Sequence, residues 1–265
     1  MNAPDATSAE GPVTLSRLED HVALVTLNRP AARNAINAEL AQGLHAIVEE
    51  LEDDPDVWAV VLSGGTGDVF CAGADLKEVA SRGSAALFTS HGFAGFAHAE
   101  RRKPWIAAVN GKALAGGCEI ALACDMVVAA ESAGFGLPEV SRGLLAAAGG
   151  LYRLPRALPR NVAIEMAITG DPIDASRAAA FGLVNRVVPA ERVLPEALAL
   201  AARITRNAPV AVRESLQVLR RVHDLDEAGL RTLTHECRDR MAATDDFREG
   251  PRAFVERREP RWTGR

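Results

Sequence analysis

The chain has 265 residues, enough for one large domain with a substantial core. Hydrophobic residues make up 48% and charged residues 25%, an ordinary globular balance, and the formal net charge of −5 removes the electrostatic case for nucleic-acid or anionic-membrane partners. No apolar run reaches the ~20 residues of a membrane span.

Residues 1–12 are small, polar and acidic and read as a disordered tail. They lack the pattern of a signal or transit peptide, so a cytoplasmic location is expected. Val13–Arg17 and 21–27 form an expected hairpin around Glu19-Asp20. Asn37 is placed to cap a helix over Ala38–Asp53, with Leu40, Leu44, Ile47, Val48 and Leu51 on one face. Residues 58–62 read as a buried strand entering the glycine-rich loop 63–67, and 75–101 as one or two helices with a break near Gly83. Trp105–Val109 and Met126–Ala130 are further strands, and 135–139 is a short extended piece. Helices are expected at 147–156, 158–168 and 175–181, the last capped by Asp174, and a strand at 183–188. Four more helical patterns follow, at 193–206, 209–223, 226–241 and 244–257. The front is thus α/β and the back helical, with no linker between them.

Several chemistries find no support. There is no G-x-S-x-G, P-loop or G-x-G-x-x-G. The four cysteines lack C-x-x-C spacing and suit reduced thiols. The six histidines form no ligand pair at metal spacing, and core or surface roles are expected for His45, His91 and His98.

What remains centres on residues 105–125, W-I-A-A-V-N-G-K-A-L-A-G-G-C-E-I-A-L-A-C-D. Ala115-Gly116-Gly117 is a turn where backbone can approach a ligand closely. The helical run 118–124 after it is almost wholly apolar and encloses one carboxylate, Glu119. Such a carboxylate is paired, shifted in pKa, or at work. A second glycine-flanked loop, Ala72-Gly73-Ala74-Asp75, also opens a helix, and a second carboxylate, Glu139, follows Gly136-Leu137-Pro138. Glu139 alone reads equally as a turn residue. Together the four features resemble a site for acyl-oxyanion chemistry with paired acid–base groups.

The ordered motifs resemble the enoyl-CoA hydratase/isomerase (crotonase) family. They are L-N-R-P-A-A-R-N-A-I-N at 27–37, F-C-A-G-A-D-L at 70–76, P-W-I-A-A-V-N-G at 104–111, A-G-G-C-E-I-A-L-A-C-D at 115–125, F-G-L-P-E at 135–139 and E-G-P-R-A-F-V-E-R-R at 249–258. The resemblance implies a spiral of ββα turns over 13–192 and a helical trimerisation region over 193–265, assembled as a homotrimer or a hexamer. It implies that the Ala74 and Gly116 N–H groups form an oxyanion hole for an acyl-CoA thioester, with Glu119 and Glu139 as the catalytic acids. No metal or cofactor is then required, CoA being part of the substrate. Arg33, Asn34, Ala35, Ala72, Asp75, Leu76 and Leu137 are expected to line the substrate pocket. Phe254 and Arg257 are expected to reach the CoA of a neighbouring subunit, although they serve equally as a solvated helix face. Leu137 replaces a polar residue of many hydratases, and Ala146-Ala147-Ala148 stands where many carry Pro-Gly. The ending E-P-R-W-T-G-R resembles the crotonobetainyl-CoA hydratase branch. The implied activity is enoyl-CoA hydration; a crotonobetainyl-CoA hydratase-like reaction, Δ3,Δ2-enoyl-CoA isomerisation, or a non-catalytic acyl-CoA- or RNA-binding role stay open.

Overall fold

The computed structural model describes residues 11–265. Most of the expected tail therefore lies outside the described residues. Its last two residues correct the expectation: Asn28 Nδ2 donates to Gly11 O (3.0 Å) and Asn28 N to Pro12 O (2.8 Å). They continue the edge of the first hairpin.

That hairpin, β1 (Val13–Arg17) and β2 (Val22–Leu27), turns through Asp20 and His21, both at positive φ. Helix α1 (Ala38–Asp53) begins where Asn37 caps the Leu40 N–H, and it buries Leu40, Ala41, Leu44, Val48 and Leu51. Strands then come in pairs. β3 (Ala59–Ser63) is followed by β4 (Val69–Cys71), β7 (Trp105–Val109) by β8 (Lys112–Leu114), and β9 (Met126–Ala130) by β10 (Gly134–Gly136). With β11 (Ile173–Asp174) and β12 (Arg186–Val188) from further along the chain, the first member of each pair joins a six-stranded sheet, ordered β1-β2-β3-β7-β9-β12, and the second a four-stranded sheet, ordered β11-β10-β8-β4. Within both sheets these strands run parallel. A helix follows β4 (α2, Leu76–Arg82) and β8 (α3, Gly116–Ala123), and a short 3-10 turn at Pro138–Arg142 follows β10. The result is the spiral of ββα turns. β4 and β8 escaped the sequence reading because three residues are too few to display an alternating pattern, and β10 was read only as an extended piece shifted along the chain.

The expected helix over 75–101 is corrected. α2 stops at Gly83 (φ 78), and the following residues form a 3-10 turn and a two-stranded hairpin, β5 (Phe88–Thr89) with β6 (Gly92–Phe93). The alanine content there favours helix, but the backbone reverses at Ala94 (φ 58) and Gly95 (φ 67), and Gly95 lies so close to Ala41 O that a side chain has no room.

Beyond the sheets come α4 (Gly150–Ala157), α5 (Arg160–Thr169), β11 (Ile173–Asp174), α6 (Ala175–Ala180) and β12 (Arg186–Val188). Then follow α7 (Val193–Thr205), α8 (Pro209–Arg220), α9 (Glu227–Ala242) and α10 (Asp245–Glu256). Helix α7 buries Val193, Ala197 and Ala201 against β2, β3, β7 and β9. Helix α8 is fastened by Arg220, whose Nε and Nη2 donate to the two Asp125 oxygens at 2.7 Å each. The same guanidinium reaches the carbonyls of Arg101 and Lys103, and Asp125 also accepts the Trp105 N–H. No described helix is long and apolar enough to cross a membrane.

Candidate active site

Strands β4, β8 and β10 lie side by side, with Cys71 beside Ala113 and Leu114 beside Gly136. Each leads within two or three residues to a site residue: Ala74 after β4, Gly116 after β8, Glu139 after β10. Equivalent points of three successive turns therefore converge, although up to 65 residues of sequence separate them.

The first two loops touch. Gly73 has φ +88, and a Cβ there would lie 2.8 Å from Ala115 Cβ and 3.0 Å from Gly116 N. Ala74 is held beside Ile36 by Ile36 N–H donating to Gly73 O (2.7 Å) and Asp75 N–H donating to Ile36 O (2.8 Å). Neither the Ala74 nor the Gly116 N–H donates to an acceptor among the described residues. Gly116 is the first residue of α3, where the helix leaves its N–H groups free. Ala115 before it takes φ 52, ψ −130, a conformation costly for alanine. Phe93 backs the loop, its ring filling the space where a Gly116 side chain would project.

Glu119 and Glu139 are both buried, at 3% and 9% exposure. Glu119 Oε1 accepts the N–H groups of Ala148 (2.7 Å) and Gly150 (2.8 Å). Burial raises its pKa, and those two donors, with the Arg153 guanidinium, oppose the rise. Arg153 in turn binds the loop that supplies them, donating to Ala148 O (3.1 Å) and Ala97 O (2.6 Å). Gly150 is needed bare: a Cβ would meet Leu137 Cδ1 at 2.9 Å and Glu119 Oε1 at 3.1 Å. Glu139 Oε2 is enclosed and without a hydrogen-bond partner among the described residues. Burial pushes the Glu139 carboxyl up to about 7, and the negative charge of Glu119 adds to the rise. One carboxylate is thus fixed and solvated by amides, the other bare and readily protonated. That pairing suits simultaneous proton removal and delivery.

The other sequence-identified residues divide. Leu137 is buried against Gly150, and Ala72, Ala35 and Leu76 remain partly or largely accessible near the first loop. Asn34 turns its side chain into the core. Its side chain is buried, donating to Gly64 O (2.8 Å) and Phe70 O (2.9 Å) and accepting the Arg29 N–H (2.9 Å), because an amide in the core must satisfy its donors and acceptor. Arg33 beside it is exposed. The Asp75 carboxylate caps Lys77 N and pairs with Arg29 at 3.1 Å, which holds it below the usual carboxylate range against the effect of burial. Phe254 and Arg257 stand at the exposed end of α10. The sequence reading missed Ala148, Gly150, Arg153 and Phe93. The first two act through main-chain N–H groups, which no side-chain pattern reveals.

The family model for enoyl-CoA hydratase/isomerase matches residues 17–265. A probable enoyl-CoA hydratase of Mycobacterium bovis is 41% identical over 252 residues, 93% of this chain and 96% of that protein. The solved structure of enoyl-CoA hydratase from Mycobacterium tuberculosis H37Rv is similar at TM-score 0.92 and 40% identity, covering 97% of this chain and 100% of that one. That of carnitinyl-CoA hydratase from Mycobacterium avium has TM-score 0.76 and 47% identity with the same coverage.

Proposed function

Since the chain belongs to the enoyl-CoA hydratase/isomerase family, we propose that it is a hydro-lyase adding water syn across the trans-2,3 double bond of an enoyl-CoA thioester to give the 3-hydroxyacyl-CoA. The observation that carries this reading is the unlike pair of buried carboxyls, one held by amides and one poised near neutrality. In this reading the thioester oxygen sits between the Ala74 and Gly116 N–H groups, which stabilise the negative charge it gains as an enolate. Water lies between the two carboxyls. Its oxygen bonds to Cβ as Glu119 takes its proton, and Glu139 delivers a proton to Cα. Glu119 keeps Oε2 for the water because Oε1 is occupied by Ala148 and Gly150.

An isomerase needs only one acid to move a proton between carbons, so two intact glutamates favour hydration. A non-catalytic acyl-CoA or RNA binder would have no use for the pair, and the net charge of −5 opposes RNA. A functionalised acyl group is the second reading, favoured by the 47% identity to the carnitinyl-CoA hydratase of M. avium. Turnover across straight-chain, branched and crotonobetainyl thioesters of CoA decides among these. Hydration of any enoyl-CoA supports the reading; binding without turnover, together with RNA retention, overturns it.

We further propose a trimeric or hexameric cytoplasmic enzyme. Phe254 and Val255 are 85% and 79% exposed and Leu219 is 66% exposed, more apolar surface on the helical region than a lone chain usually leaves in water. Phe254 and Arg257 would meet the CoA of an adjoining copy, the guanidinium facing a phosphate.

A further inference from the structure

The sequence places no histidine pair at metal spacing, but the fold brings two histidines and a glutamate together. His45 and Glu49 stand one turn apart on α1, and the β5–β6 hairpin brings His91 against them. One ligand atom from each of the three lies within 4.8 Å of the other two. The sequence reading looked for paired histidines and missed a His-x-x-x-Glu pair completed from a hairpin 42 residues away.

Three details point to a cation. His45 Nδ1 lies 3.1 Å from Thr89 Oγ1, which already accepts the His91 main-chain N–H (3.0 Å). A His45 Nδ1–H donated to that oxygen leaves the Nε2 lone pair turned to the Glu49 carboxylate, 3.4 Å away. In that tautomer a cation seated there meets two acceptors at once. Third, His91 Nδ1 is enclosed and makes no hydrogen bond among the described residues. The two rings sit 4.1 Å apart between centroids, tilted by 45°, and not stacked flat. Glu49 is exposed, so an ion can enter and a water can complete its shell.

We propose that His45, Glu49 and His91 bind a divalent cation of the zinc class, with Thr89 as the outer partner orienting His45. Two imidazoles and one carboxylate with a solvent-filled fourth place is a donor set suited to zinc rather than to calcium or magnesium. The ion fastens the β5–β6 hairpin to α1. That hairpin carries Phe93, which packs on Gly116, so the ion braces the loop from behind without entering the acyl site.

The test is titration of the full chain with Zn2+ against a chromophoric chelator, with Co2+ as a spectroscopic probe. One equivalent of tight binding is expected, with the visible bands of four-coordinate Co2+. Both are lost in His45→Ala and His91→Ala. Affinity falls about 10–100-fold in Thr89→Val, which removes the outer partner of His45 and the acceptor of the His91 N–H but no ligand. Zn2+ also raises Tm and slows amide exchange of residues 88–93 in the parent but not in His91→Ala. Each variant is checked for parental circular dichroism; Glu49→Gln, at an exposed position, keeps the test open if a histidine variant misfolds. Failure to bind one equivalent, or binding that survives both Glu49→Gln and His91→Ala, overturns the site.

Discussion

The charge of Glu119 raises the pKa of Glu139, while Glu119 itself is held by the N–H groups of Ala148 and Gly150. The two carboxyls are the same chemical group given opposite tasks by their surroundings. Glu119→Gln and Glu139→Gln are therefore expected to fail differently. Hydration falls by about 10²–10⁴ in each. Exchange of the Cα proton with solvent, followed by deuterium incorporation, survives in Glu119→Gln and is lost in Glu139→Gln. A Glu119→Gln variant that hydrates as fast as the parent removes Glu119 as the base.

The pH dependence follows from the same pair. Glu139 must carry its proton to donate it, so kcat/KM for hydration falls as pH rises through about 7. On the acid side, activity falls as Glu119 is protonated.

Stability shares this dependence. The unfolded Glu139 carboxyl ionises at its ordinary value of 4.5 and the folded one at about 7, so folding is favoured below 4.5 and loses stability as pH rises between the two. The loss approaches about 3 kcal/mol. Urea midpoints measured at intervals from pH 4 to 8 detect it, and Glu139→Gln abolishes this part of the slope.

Gly116→Pro is expected to cost about 10²–10³ in rate by deleting one N–H of the oxyanion hole. The proline ring also presses on Phe93, so packing must be separated from chemistry. Gly116→Ala crowds Phe93 while keeping the N–H, and combining it with Phe93→Ala restores activity. Gly116→Pro combined with Phe93→Ala stays slow. Recovery in that second double variant shows that Gly116 served only packing.

Light scattering at micromolar concentration is expected to report three or six times the subunit mass. Phe254→Glu places a charge in the apolar contact and lowers that mass. A parent that runs as a monomer refutes the assembly and the shared role of Arg257.

The long elements were legible because their periodicity was: Asn37 capping α1, the buried run of β7, the apolar α3 around Glu119. Glu119 was legible because nothing around it in sequence is polar. The three-residue strands β4 and β8 were not, and β10 only in part, yet the three are what brings Ala74, Gly116 and Glu139 together. The burial of the Asn34 side chain was not legible, because a polar residue in a motif looks the same whether its side chain meets a ligand or backbone groups. The 85–101 segment was misjudged because alanine propensity is a weak prior that close packing at Gly95 overrides.

Arg220 grips Asp125 and the carbonyls of Arg101 and Lys103, the residues that bracket both ends of the stretch containing Gly116 and Glu119. A helix far along the chain thus holds both ends of the stretch that carries the candidate centre. Arg220 thus ties the helical region to the spiral, and a chain cut short before α8 forfeits the anchoring of β7 along with its last helices.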